Sequence, residues 1–265
     1  MRQLTKIASR LRQWQQAVQN GNAEADLLSI SWPGKLVTRA SKLRHIFLMI
    51  VLSVSLGNFL ACQWFGPKCK FCGKSLSAGK VHTPEGYDVC PECDHDAVRD
   101  LRTAQALVAQ VREEIVSLGL RLPWGTIPIK LAPSADPAVH ARCEAARYGN
   151  GSVASVWIRF MPGMPKPMFK AVAAHELTHA WAYLNRSPMK QDEALSEGAP
   201  TLVEYTYLER NKSVYGEHRR NAIMTSSNKI YGKGTRSLQA YAKDHGGLAG
   251  VLALLKTAKS IPEGF

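Results

Sequence analysis

The sequence predicts an α+β fold, and three observations carry that prediction. Apolar residues recur at helical spacing over 97–119, at Leu101, Ala104, Leu107, Val108, Val111, Ile115 and Leu118. Two short runs rich in β-branched and aromatic residues, Ile127–Leu131 and Val153–Phe160, read as strands. Helical stretches at about 168–185 and 193–210, with one or two more at about 236–258, fill the C-terminal part. At 265 residues the chain has room for one large domain or two small ones. Its 45% hydrophobic and 21% charged residues are an ordinary globular balance, so a folded core is expected.

Taken in order, residues 1–45 are a basic N-terminal arm, broken at Trp32, Pro33 and Gly34. Residues 46–62 hold no charge, and as a helix they would span roughly 25 Å, marginal for a bilayer core. This segment is expected to be a transmembrane or signal-anchor helix, making the chain a single-pass membrane protein. One alternative is a cleaved signal in which Phe59 to Cys62 loosely resemble a lipoprotein cleavage box, leaving a lipid anchor on Cys62. The other is a buried helix of a soluble fold. Lys35, Arg39, Lys42 and Arg44 precede the run, while Lys68, Lys70 and Lys74 follow it. A cytoplasmic N-terminus is therefore only weakly favoured.

Residues 66–96 form a small cysteine module, and 97–265 form the main domain. Pro123 and Gly125 end the first amphipathic helix. Pro133, Pro137, Gly149 and Gly151 mark an irregular segment between the two strands, and 161–167 is a Pro-rich rigid turn. A basic connector holding Tyr231, Gly232 and Gly234 precedes the closing helices. No internal repeat is present.

Chemistry concentrates in the 168–185 helix, which contains His175-Glu176-x-x-His179. Positions i and i+4 share one helix face, so both imidazoles can reach one metal ion. Glu176 lies about 100° around the helix, suited to taking a proton from an activated water rather than to ligation. This pattern predicts a zincin-like hydrolase with Glu176 as general base. A catalytic zinc needs a third protein ligand. The metzincin pattern would place Gly at 182 and His at 185, where Ala182 and Asn185 stand. Glu197, at the start of the next helix, is the expected third ligand. A thermolysin-like pattern would add Asp where Thr201 stands. Glu204, two turns on, reads as a rival ligand, a supporting partner or a solvated carboxylate. Asp192 and Glu193 read as surface charges. Tyr205, Tyr207, Tyr231, Arg236 and His245 are candidate oxyanion donors that spacing does not separate. The run Val153–Phe160, as an edge strand, could hold extended substrate.

Cys69-x-x-Cys72 and Cys90-x-x-Cys93 stand 17 residues apart, spacing that fits a four-cysteine zinc ribbon or half of a LIM-like module. His82 and His95 are reserve ligands. Neither pair is followed directly by His, so c-type haem attachment is excluded. Cys143 reads as a core thiol. Two zinc ions are therefore expected, one catalytic and one structural.

The order of these motifs resembles the DA-one family, plant LIM-domain peptidases that limit organ size and act in the ubiquitin pathway. The likeness covers about residues 69–262. It includes the paired cysteines, Ala174-His-Glu-x-x-His-Ala-Trp181, Glu197-Gly198, and Tyr231-Gly-x-Gly234 with Arg236. It implies a metallopeptidase with His175, Glu176 and His179 at its centre, and an active-site region shaped by Tyr231, Gly232, Gly234 and Arg236. The sequence departs from the family in lacking ubiquitin-interacting helices, so the plant substrates and ubiquitin activation are not carried over.

Zinc-dependent hydrolysis of a protein or peptide substrate is thus the expected function. The alternative is a non-catalytic zinc-binding adaptor, in which the Glu176 carboxylate has no task. The net charge of +13 and pI near 9.6 favour contact with anionic surfaces. The basic residues are spread along the chain, however, so a nucleic-acid partner is not expected. Oligomeric state is not legible.

Overall fold

The structure, a computed structural model, describes residues 66–265 apart from 124, 126, 137, 138 and 187–189. These residues fall in one compact unit. The first turn, through Cys69 and Cys72, is closed by the Cys69 N–H donating to Lys74 O (2.8 Å) and the Gly73 N–H donating to Cys69 O (3.1 Å). A single 3-10 turn, Leu76–Ala78, leads to the hairpin β1 (Val81–His82) and β2 (Asp88–Val89). The short helix α1 (Pro91–His95) starts directly after Cys90, with Pro91 where no N–H partner is needed.

Strand β3 (Ala97–Val98) precedes α2 (Leu101–Val116), whose N-terminus is capped by Asp100 Oδ1 accepting from Thr103 N–H at 2.8 Å. Its buried face is Ala104, Val108, Val111 and Ile115, four positions of the predicted stripe; Leu101, also predicted, is exposed. The main sheet combines β4 (Ile129–Leu131), β5 (Ala141–Arg147) and β6 (Val153–Phe160) in the order β4-β6-β5. Strand β6 runs parallel to β4 and antiparallel to β5. Strand β5 lies in the segment expected to be irregular. Its residues are weak strand formers, and pairing supplies what they lack. The register runs from Ala141 opposite Phe160 to Arg147 opposite Val153. Glu144 accepts from Trp157 Nε1 (2.7 Å) and Arg159 Nη2 (3.1 Å) across the pair. The expectation that Val153–Phe160 offers an edge is also corrected: β6 is central, and β4 and β5 are the edges. Strand β7 (Met164–Pro165), inside the predicted rigid turn, pairs antiparallel with β3.

Helix α3 (Lys166–Asn185) carries the His-Glu-x-x-His motif through the middle of the unit. It buries Phe169, Ala171, Val172, Ala173, Ala174, Leu177, Ala180 and Trp181. A helix enclosed on most sides shows no narrow apolar stripe. The β5–β6 pair, α2 and α4 (Glu193–Arg210) all pack against it. Asp192, expected as a surface charge, caps α4: its Oδ1 accepts from Leu195 N–H at 2.7 Å. Helix α5 (Val214–Thr225), capped by Ser213, occupies part of the connector. A π-helical turn, Lys229–Lys233, runs into α6 (Gly234–Asp244), and α7 (Leu248–Thr257) closes the chain.

The expectation of a single-pass membrane protein is withdrawn. Among the described residues no helix is long and apolar enough to cross a membrane. The two longest, α3 and α4, hold Lys166, Lys170 and Glu176, and Glu193, Glu197, Glu204, Glu209 and Arg210. The run 46–62, and with it the alternative lipid anchor at Cys62, lies outside the described residues, as does the basic arm 1–45.

Candidate metal centre

His175 and His179 project from one face of α3 with their Nε2 atoms 3.2 Å apart. Glu197, from the second turn of α4, brings Oε2 to 3.5 Å from His175 Nε2 and 3.3 Å from His179 Nε2. Three donor atoms thus form a nearly equilateral triangle, one of two candidate metal-binding groups among the described residues. The histidine side chains are 12% and 14% exposed and Glu197 is 30% exposed, so the triangle is sheltered but reachable. Burial alone would raise the Glu197 carboxyl; the two histidines overcome this and drive it far below the carboxylate range.

Glu204 sits seven residues after Glu197, two turns along the same face of α4. It is 1% exposed, and its Oε2 stands 3.4 Å from His175 Nδ1, close enough for ion pairing though not aligned for a hydrogen bond. It is therefore neither a solvated carboxylate nor a member of the donor triangle. Arg219 of α5 grips it in two-point fashion, Nε to Oε1 at 2.7 Å and Nη2 to Oε2 at 3.2 Å. Burial would raise the Glu204 carboxyl, but the Arg219 charge and the His175 contact hold it down to about 2. Burial likewise pulls His175 down, while Glu197 and Glu204 outweigh it and lift the imidazole to about 10. The site presents an excess of negative charge to whatever lies between the two histidines, the condition that favours a cation. Arg219 carried no signal in the sequence, because its partner lies 15 residues away on another helix.

Glu176, next to the first histidine, is 6% exposed. Its charge is felt at His175, Cys143 and Tyr231, raising each of them. Tyr231 is 45% exposed. Burial raises its phenol first, and Glu197 and Glu176 raise it further, Glu197 also through hydrogen bonding. Of the five candidate oxyanion donors, Tyr231 is the one whose phenol feels both Glu197 of the triangle and Glu176. Tyr207 is buried and donates to Glu114. His245 stacks on Tyr241 at 3.8 Å. Tyr205 lies against Arg220. Arg236 donates through Nη1 to Met224 O and Ser226 O, both at 2.9 Å, and so clamps the loop that leads to Tyr231.

The glycines around Tyr231 follow from close packing. A Cβ on Gly232 would fall 2.3 Å from Ser226 O, and one on Gly234 would fall 2.7 Å from Ala194 O. Both positions bring backbone against backbone, with α6 laid directly on the N-terminal turns of α4. Cys143, a buried thiol of β5, is pushed up by burial first and then by Glu176 and Glu144.

The second candidate group is Cys69, Cys72, Cys90 and Cys93, all buried and all free. Cys72 and Cys90 Sγ lie 3.7 Å apart. Burial pushes the Cys69 thiol up, but backbone N–H groups of Cys72, Cys90 and Phe71 outweigh it and hold it at about 7. Cys93 is driven strongly upward by burial and then by the charges of Cys69 and Cys72. Neither reserve histidine joins the group: His82 pairs with Asp88 (3.0 Å) and His95 is exposed. No family model, curated protein or solved structure matches the chain.

Proposed function

We propose that this chain is a zinc-dependent endopeptidase of zincin-like architecture acting on a protein or peptide substrate. The observation that carries the reading is the His175–His179–Glu197 triangle, with edges of 3.2, 3.3 and 3.5 Å, beside Glu176 on the same helix. Ligands at zinc's usual 2.0–2.1 Å bond lengths in a tetrahedral arrangement stand roughly 3.3–3.4 Å apart, so the donor set fits that ion. The 3.7 Å sulfur separation fits a zinc–thiolate site, where roughly 3.8 Å is expected. The cysteine group would hold a structural zinc. The motif order resembling the DA-one family supports the same reading.

Zinc in the triangle would supply Lewis acidity, bringing a water's pKa towards neutrality and polarising the scissile carbonyl. The remaining work belongs to the chain. His175 and His179 are held in position by α3, and Glu204 stands behind His175 at ion-pairing distance. Such a carboxylate behind an imidazole orients the ring and raises its basicity as a donor. Glu176 takes a proton from water and passes it to the leaving amine. The Tyr231 phenol, raised above its ordinary value by burial and then by Glu197 and Glu176, donates to the oxygen where negative charge develops. Extended substrate lies along β5, an edge of the main sheet packed against α3.

Zinc-loaded full-length protein, incubated with a mixture of quenched fluorescent peptides, should cut them. Glu176→Gln should lower turnover by about 10²- to 10⁴-fold, the range for a lost general base, while retaining both zinc ions. A wild type that cuts nothing would replace this reading with the non-catalytic adaptor, and a variant that cuts equally well would remove Glu176 as the general base.

A further inference from the structure

A pocket of about 200 Å³ opens beside the triangle, sharing His179 and Glu197 with it. Its other walls are Ala182, Tyr183, Arg186, Lys190, Gln191, Ser196 and Leu255. Two features set its chemistry. Arg186 is fixed in place: its Nη1 donates to Gln191 Oε1, and the Gln191 amide is itself oriented by donating to Leu255 O (2.7 Å) and Ala258 O (2.8 Å). Arg186 Nε is enclosed and has no hydrogen-bond partner. Positive charge is also in surplus. The guanidiniums of Arg186 and Arg147 both lie against the Tyr183 ring, 5.6 and 5.7 Å from its centre, and Lys190 lines the wall. Among the described residues no carboxylate forms an ion pair with Arg147, Arg186 or Lys190. Glu197, the one carboxylate among the lining residues, is turned to the two histidines.

A fixed guanidinium, a second guanidinium across one ring and an ammonium are the elements of a carboxylate subsite. We infer that this pocket receives an acidic side chain of the substrate, on the residue flanking the cleaved bond. The inference rests on the peptidase reading, because the pocket's place beside the triangle is what puts its occupant next to that bond. Burial, chiefly, already lowers Arg186 below the usual arginine value, and Arg147 adds to this. The attraction of an incoming carboxylate would offset both. Ser196 offers a further polar group at the wall.

The test profiles cleavage of a synthetic peptide library, acetylated and amidated at its ends, by the zinc-loaded full chain. Asp and Glu should be enriched at least tenfold at one position flanking the cut. That preference should fall about tenfold in Lys190→Glu, an exposed change, and in Arg186→Gln. Cleavage without acidic preference, or with a preference both variants keep, overturns the subsite and leaves the peptidase reading standing. If the wild type cuts nothing, the peptidase reading falls, and binding then decides the pocket. Glu176→Gln protein should bind fluorescent Ala-Ala-Asp-Ala at least tenfold more tightly than its Asn counterpart, a difference lost in Lys190→Glu; equal affinities overturn the proposal.

Discussion

At 1% exposure, Glu204 can stay ionised only through its partners, and Arg219 and His175 are those partners. The arrangement makes a definite pH prediction. A carboxyl held at about 2 in the folded protein and near 4.5 in the unfolded chain binds more protons when unfolded. Its stabilising contribution is therefore complete above pH 4.5 and is lost as pH falls through 2. A shift of that size corresponds to about 3 kcal/mol. Acid unfolding followed by circular dichroism should show Glu204→Gln losing less stability than wild type across that window. Removing the other partner is harsher: Arg219→Met leaves a buried carboxylate without its cation and should cost about 3–5 kcal/mol in urea unfolding. It should also weaken zinc binding at the triangle by about 10- to 100-fold, through the loss of support behind His175. The two histidines and Glu176 were legible because helical spacing alone fixes their faces. Glu197 was legible as the carboxylate that opens the next helix. Arg219 was not, because an ion pair between two helices leaves no periodicity in the chain.

The elements differ in the same way. Helices α2, α3 and α4 follow from apolar periodicity and caps, and α4 runs over the predicted 193–210. Strand β5 and helix α5 were not legible. The first is made of weak strand formers held by pairing with β6, and the second is a polar helix docked through few buried residues, Tyr215, Gly216 and Ile223. The Tyr231 to Arg236 tract was legible as important but not as a π-helical turn wedged against α4. The close packing of that turn is testable. Gly232→Ala drives a methyl group into Ser226 O and should lower stability by about 1–3 kcal/mol, as overpacking does. Since the tract carries Tyr231, its turnover should fall further than its stability explains. Thermal melts beside peptide kinetics separate the two effects.

For the whole molecule, the cysteine group and the triangle belong to one unit. Gly73, in the first cysteine turn at φ 71°, packs so closely on α5 that a Cβ there would lie 2.5 Å from the His218 ring. Arg219, the next residue of α5, grips Glu204, and Glu204 faces His175. A contiguous set of contacts therefore runs from the cysteine turn to the donor triangle. Cys93→Ser should consequently lower the melting temperature and also weaken zinc at the triangle, read by competition with a chromophoric chelator. Unchanged affinity at the triangle would show that the two sites are held independently.

The reading stands or falls on what fills the triangle, and metal content of the purified full chain is the direct measure. Two zinc ions per chain are predicted for the wild type and one for Glu197→Ala, with the cysteine-bound ion retained. One zinc per chain in both proteins would contradict the catalytic site, and with it the peptidase.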